Sequence, residues 1–155
     1  MRFKEILEVK IDNVRGIGAV PDNQEVDYKG MKVLMRPSTF LKLAAPLDKE
    51  PEDKIINHIR QGGAIGAPFL LINIPQEWEE GNFDQPLKII GHEGRNRMKA
   101  IMKLEGNDLI EVHLLLSNGM RARHLTPEIK DKMIQGATAE RSSNYISGPL
   151  YKEIT

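Results

Sequence analysis

Four residues within one short stretch, His92, Glu93, Arg95 and Arg97, could together perform acid–base and phosphate chemistry. They lie in Lys88-Ile-Ile-Gly-His-Glu-Gly-Arg-Asn-Arg-Met-Lys-Ala100, where a strand pattern passes through Gly91 and Gly94 straight into a helix pattern. Backbone N–H groups and the dipole at a helix start attract an anion, and glycine lets a phosphate approach the main chain. An imidazole and a carboxylate beside two guanidiniums put groups that move a proton next to groups that hold a phosphate. On the helix, Arg95, Lys99 and Lys103 form a polar stripe, while Met98, Ile101, Met102 and Glu105 project to one side. Arg97 shares a row with Ile101 and Leu104, so it leans toward the body of the protein and needs an anionic partner, a carboxylate or a phosphate. A structural reading pairs Arg97 with a buried acid and leaves the glycines to make a tight turn. The crowding of four such side chains in one turn favours the functional reading.

The elements around that turn follow from periodicity and punctuation. Phe3 to Asp12 alternates loosely, as a strand-like arm, and the turn-rich run from Asn13 to Lys29 reads as an exposed loop. Met31 to Met35 is a short strand, and Ser38 stands where a helix cap belongs, ahead of Phe40 to Ala44. A second helix starts near Pro51, with Ile55, Ile56 and Ile59 as its apolar face and Gln61-Gly62-Gly63 as its exit. Strands over 69–74 and 87–90 flank a glutamate-rich loop over 76–86. A helix from Arg95 to Glu105 and a strand from Ile110 to Leu116 come next. Thr126-Pro127-Glu128 carries a capping hydroxyl, a first-turn proline and an acid at the positive dipole end, and so opens a last helix that finishes by Gly136. Residues 137–155, rich in Ser, Asn and Gly, read as an irregular arm. The order describes a compact α/β (α+β) single domain, a small mixed sheet with helices. It comprises an N-terminal extension over 1–30, a core over 31–116, and a C-terminal helix and arm over 117–155.

Composition narrows the classes of function. At 155 residues one domain is the natural count, and low aromatic content leaves aliphatics and methionine to build the core. No apolar run approaches membrane-spanning length, and the charged N-terminus lacks a secretory h-region. With no cysteine there is no disulfide framework, thiolate metal site or cysteine nucleophile, which is compatible with a reducing cytoplasm. Lys plus Arg balances Asp plus Glu, so dominant non-specific DNA binding is disfavoured. Charge is nevertheless uneven: Lys88 to Lys103 holds five basic residues and one acid, Glu93, so a local anion site remains open. Arg121, Arg123 and His124, ahead of the last helix, could add a second phosphate or nucleic-acid contact, or could form an exposed basic turn. His58 reads as a helix-terminal structural residue, and His113 as a surface or barrel-edge residue. Tyr145 and Tyr151 could anchor a partner or a second subunit.

The ordered set of segments resembles the ParB/sulfiredoxin superfamily. A helix with a glycine exit and a proline-led strand run from Asn57 to Ile72. A strand then enters Gly94-Arg-Asn-Arg97-Met-Lys-Ala100, which fits G-x-x-R-x-x-A, and a helix and the strand Ile110-Glu-Val-His-Leu114 follow. Upstream, Val33-Leu-Met-Arg-Pro-Ser-Thr-Phe40 is similar to the family's opening strand, proline and helix, so the likeness spans roughly residues 31–116. The G-H-E-G-R-x-R form looks most like ParB-like proteins of phages, which implies a host cytoplasm. The resemblance implies a nucleotide- or nucleic-acid-phosphate site, with ATP or CTP and Mg²⁺ as cofactors and phosphoryl transfer or nuclease-type hydrolysis as the reaction. Carried over by position, Gly94 would admit the phosphate and Arg97 would hold it; the chemistry of the turn adds Gly91, Arg95 and Asn96 as phosphate-binding residues. Glu93 as general base or magnesium ligand, and His92 as a second acid/base or a phosphate contact, are inferred from chemistry alone. Sulfiredoxin's catalytic cysteine falls at Arg95, which excludes that activity. No helix-turn-helix pattern follows the core, which argues against a partition-type DNA reader. The alternative is a non-catalytic phage module that grips a host or virion protein through residues 137–155. A homodimer is left open.

Overall fold

The computed structural model describes residues 9–19, 30–44, 49–117, 119–120 and 122–154. Its elements are β1 (Gly30–Met35), α1 (Pro37–Leu43), α2 (Asp53–Arg60), β2 (Phe69–Asn73), β3 (Leu87–Glu93), α3 (Arg95–Glu105), β4 (Ile110–Leu116), α4 (Pro127–Gln135), β5 (Gly136–Ala139), β6 (Asn144–Ser147) and β7 (Lys152–Glu153). Short 3-10 turns occupy Gln76–Glu80 and Ala122–His124. The strands form one mixed sheet in the order β6-β5-β3-β2-β4-β1-β7. β2 runs parallel to β4 and β3 parallel to β5, and the other neighbours are antiparallel. A flat sheet of this width would separate its outer strands by about 29 Å at ~4.8 Å per strand. The segment from β6 to β7 can span only about 17 Å at ~3.4 Å per residue. The sheet is therefore curled, and Leu150 and Tyr151 are buried in the crossing that joins its two edges.

One core cluster joins the sheet to the helices. Val33, Leu70, Ile72, Val112 and Leu114 from the central strands meet Phe40 of α1, Ile59 of α2 and Met98 and Ile101 of α3, all nearly inaccessible to water. Aliphatics and methionine dominate, as composition predicts. Among the described residues, no helix is long and apolar enough to cross a membrane.

Several local expectations hold for the stated reasons. Thr126 caps α4, its hydroxyl accepting the Ile129 N–H at 3.2 Å, with Pro127 in the first turn. Gly106, at φ 86°, ends α3. Others are corrected. Arg36, not Ser38, is the N-cap of α1, and the Ser38 N–H is satisfied by the Asn107 side chain at 2.9 Å, a cap supplied from beyond α3. Met102 is exposed, so α3's buried row is Arg97, Met98, Ala100, Ile101 and Leu104. The loop over 76–86 contains a 3-10 turn around buried Trp78. The irregular arm is replaced by three strands: β5 pairs with β3, β6 with β5 and β7 with β1. Gly-Ala-Thr-Ala has little intrinsic strand preference, so the open side of β3 decides its conformation. The C-terminal residues thus complete the sheet of the 31–116 segment rather than hanging from it.

The N-terminal strand expected over Phe3–Asp12 lies outside the described residues as far as position 8, and what is described beyond it is a strap. Ile11 and Ile17 each bridge Ile65, and the Asp12, Ile17 and Gly66 N–H groups bond across the two segments. Residues 13–19, expected as an exposed loop, are pinned against the 64–67 segment.

Candidate functional site

The last three residues of β3 set the site's direction. Leu71 pairs with Gly91 and Ile72 with Ile89, leaving Ile90 as an extra residue. Such a bulge shifts the two-residue alternation by one and re-aims the side chains beyond it. His92 consequently sits opposite Leu70, which is wholly buried, on the core side of the sheet, while exposed Glu93 sits opposite Phe69. The expected turn over Gly91–Gly94 is therefore strand up to Glu93, and Gly94 alone makes the corner, at φ 98° and ψ 19°. A Cβ there would lie 2.7 Å from both Arg97 Nη2 and Pro68 Cβ, so both conformation and space demand glycine. Gly91 has no such constraint: a Cβ would meet Leu71 at an ordinary 3.4 Å.

A cleft of about 290 Å³ opens at this corner, lined by Ile17, Gly18, Ile55 and the whole run from His92 to Arg97. Of the residues expected to act, His92, Glu93, Gly94, Arg95, Asn96 and Arg97 are brought together, and Gly91 stands outside the lining. The Asn96 and Arg97 N–H groups begin α3, where the helix supplies no acceptors. Asn96 Oδ1 is buried without a hydrogen-bond donor among the described residues, an opening that a ligand hydroxyl would fill.

Arg97 leans inward as expected and is only 4% exposed, but its partners are not the anticipated anion. Nη1 donates to the Gly18 carbonyl at 3.0 Å and to the Gly66 carbonyl at 2.9 Å. Two carbonyl dipoles seat one edge of the guanidinium, and they tie the strap to α3. Burial lowers the Arg97 pKa and the charge of Glu93 opposes that, so the residue remains a cation. Gly18, at φ 75°, lies against the guanidinium with no room for a side chain.

The strap has a second anchor on β4. His113 is buried, correcting the surface reading, and its Nε2 lies 2.9 Å from Glu111 Oε2. The same oxygen accepts from Asn13 Nδ2 at 2.8 Å, and Asn13 Oδ1 accepts the Ala67 N–H at 2.7 Å. The hydrogen bond from His113, then that from Asn13, hold the Glu111 carboxyl below its ordinary value against the opposing effect of burial. His58 is structural, as expected, donating from Nε2 to the Ala64 carbonyl at 2.7 Å.

Arg141 was not legible as a site residue. The Glu140 N–H bonds to the Ile89 carbonyl, so the β5–β6 turn lies beside the end of β3. Burial lowers the His92 pKa first, followed by the charges of Arg141 and Arg95, with Glu93 pulling the other way. At neutral pH the imidazole is therefore neutral and can accept a proton. No spacing signal ties Arg141 to the motif in sequence; a parallel strand pair brings it there.

The proposed second anion contact is not joined to this one. Arg123 and His124 are exposed, and His124 lines a separate cleft with Glu79 and Thr126, beyond the opposite end of β2 and β4. Arg121 lies outside the described residues. The acidic 76–80 turn is at that far end too and does not cover the corner. For Mg²⁺, no three His, Asp or Glu side chains gather among the described residues, and Glu93 is the one carboxylate lining the cleft. Mg²⁺ commonly takes one or two carboxylates and completes its shell with water and substrate phosphates, so the donor set fits the ion only together with a phosphate. Tyr145, on β6, is 60% exposed, whereas Tyr151, just ahead of β7, is buried. No protein-family model matches this chain, nor does any curated protein or solved structure match it significantly.

Proposed function

We propose that the β3–α3 corner binds the phosphate of a nucleotide or nucleic acid, in the manner of a phage-type ParB/sulfiredoxin-like domain, for phosphoryl transfer or phosphodiester hydrolysis. One observation carries the reading. A left-handed glycine, the opening amides of an eleven-residue helix and the cations of Arg95 and Arg97 meet in one cleft, with Arg141 close enough to depress His92. Such positive potential in a walled corner stabilises an anion. The division of labour differs from simple carry-over: Arg97 Nη1 is committed to the strap, so Arg95, Arg141 and the α3 amides take the phosphate. Neutral His92 accepts a proton from an attacking hydroxyl or water, and Glu93 serves as a second acid–base group. Mg²⁺, when bound with ATP or CTP through Glu93, would neutralise phosphate charge.

Calorimetric titration with ATP and with CTP, each with Mg²⁺, tests this on wild type and on Arg95→Ala/Arg141→Ala. Saturable binding that the double variant loses, with its fold intact by circular dichroism, supports the site. Absence of binding to wild type, or equal binding by both proteins, overturns it.

A further inference from the structure

A second cleft, of about 320 Å³, lies at the other end of β3, between the 76–86 loop, the end of α4 and the β5–β6 hairpin. Trp78, Phe83 and Tyr145 contribute to its lining beside polar side chains. Tyr145 is 60% exposed and rests on bare backbone: a Cβ on Gly136 would fall 2.6 Å from its hydroxyl and 3.1 Å from two ring carbons. Half-buried Phe83, also in the lining, is braced edge-on by Trp78, with centroids 5.6 Å apart at 61°. Lys132 Nζ stands over the Phe83 ring, 5.5 Å from its centroid, and leaves Tyr145 as the open aromatic surface. Asp84 and Gln135 at the rim offer an acceptor and an amide to the edge of a planar ligand.

The hairpin joins this cleft to the phosphate corner. Arg141 sits in its turn and Tyr145 is four residues further along, no more than about 14 Å away in an extended chain. Lys88, exposed on β3, is in register with Thr138, itself in register with Tyr145, so the three side chains share one row on one face of the sheet. Cations beside an exposed ring make a track for alternating phosphates and bases. A mononucleotide cannot reach both ends of β3, which lie about 20 Å apart at ~3.3 Å per residue.

We infer that the ligand of this protein is a single-stranded nucleic acid, with one base stacked on Tyr145 and the backbone running past Lys88 and Arg141 to the phosphate corner. The inference rests on the phosphate reading above and narrows it from nucleotide to strand. Stacking on an aromatic side chain tolerates any base, so recognition is by strandedness more than by sequence.

The test is fluorescence anisotropy with an end-labelled single strand of about ten nucleotides, alongside calorimetry with the mononucleotide, on wild type, Tyr145→Ala, Tyr145→Phe and Arg95→Ala/Arg141→Ala. Tyr145→Ala should weaken strand binding about five- to a hundredfold, the range found when a stacking side chain is removed. It should leave mononucleotide binding unchanged, and Tyr145→Phe should restore the strand. Strand affinity should also fall with salt as counterions are released. A strand bound no tighter than the mononucleotide, or bound equally by wild type and Tyr145→Ala, overturns the inference while the phosphate corner stands. Binding of neither probe to wild type removes both readings. A duplex bound as tightly as the single strand overturns the inference as well.

Discussion

Replacing Arg97 by methionine keeps most of the apolar stem while removing the guanidinium that joins α3 to the strap. The two bonds from Nη1 to the Gly18 and Gly66 carbonyls are hydrogen bonds from a charged donor, worth about 1.5–3 kcal/mol each. Releasing the arginine from its buried position returns part of that, because a desolvated cation costs several kcal/mol on its own. The expected net loss is about 2–4 kcal/mol, a large share of the roughly 5–15 kcal/mol that stabilises a typical domain. In a chain of this size the melting temperature should fall by roughly 5–15 °C. Urea unfolding followed by the fluorescence of Trp78, the chain's one tryptophan and itself buried, measures the loss. Hydrogen exchange locates it: the Ile17 and Gly66 amides, bonded to Ala64 and Ile17 across the strap, should lose protection while the strand amides of β2 and β4 keep theirs. A urea midpoint that does not move, with both strap amides still protected, would refute Arg97 as the strap's holder. It would return the side chain to phosphate binding alone.

Gly18→Ala should destabilise wild type by about 1–3 kcal/mol, through its positive φ and the crowding of Arg97, and by clearly less in an Arg97→Ala background. Equal costs in the two backgrounds would show that the contact carries no energy. The folded state lowers the His92 pKa, so its contribution to stability is complete above the ordinary value of 6.5 and is lost as pH falls through the lower folded value. Bound phosphate offsets Arg95 and Arg141, so the NMR titration midpoint of His92 should rise on adding inorganic phosphate; a fixed midpoint places the anion elsewhere. The Glu111 carboxyl is likewise held low, and its contribution is present above its ordinary value of 4.5 and lost as pH falls through the folded value. Glu111→Gln should therefore unfold with a shallower pH dependence between pH 5 and 2. Superimposable acid-unfolding curves for variant and wild type would discard the Asn13–Glu111–His113 anchor as a source of acid sensitivity.

What could be read in advance was local. The α4 cap lies within three residues of sequence, and α3's length follows from its flanking glycines. The inward lean of Arg97 follows from its shared row with Ile101 and Leu104, since helical spacing determines which side chains share a face. Hidden features depended on contacts distant in sequence. His113 is buried with Asn13 of the strap beside it, and alternation along β4 gives no sign of that. His92's orientation depends on a bulge at Ile90, visible only once β2 and β3 are paired. Arg141 joins the corner because β5 fills the open side of β3, and nothing in Ala-Thr-Ala-Glu-Arg announces a strand. Arg97's carbonyl partners come from two glycines in separate segments, which no residue-type rule would pair with a guanidinium.

The crossing from Gly148 to Tyr151 has a consequence for association. An open sheet invites a second copy to add a strand along any long run of bare N–H and C=O groups. Here β7 lies along β1, Val33 facing Glu153, and is itself two residues long. At the other border, β6 is four residues long and α1 packs against it. Among the described residues the sheet thus ends in strands of four and two residues, and short bordering strands work against edge-to-edge pairing.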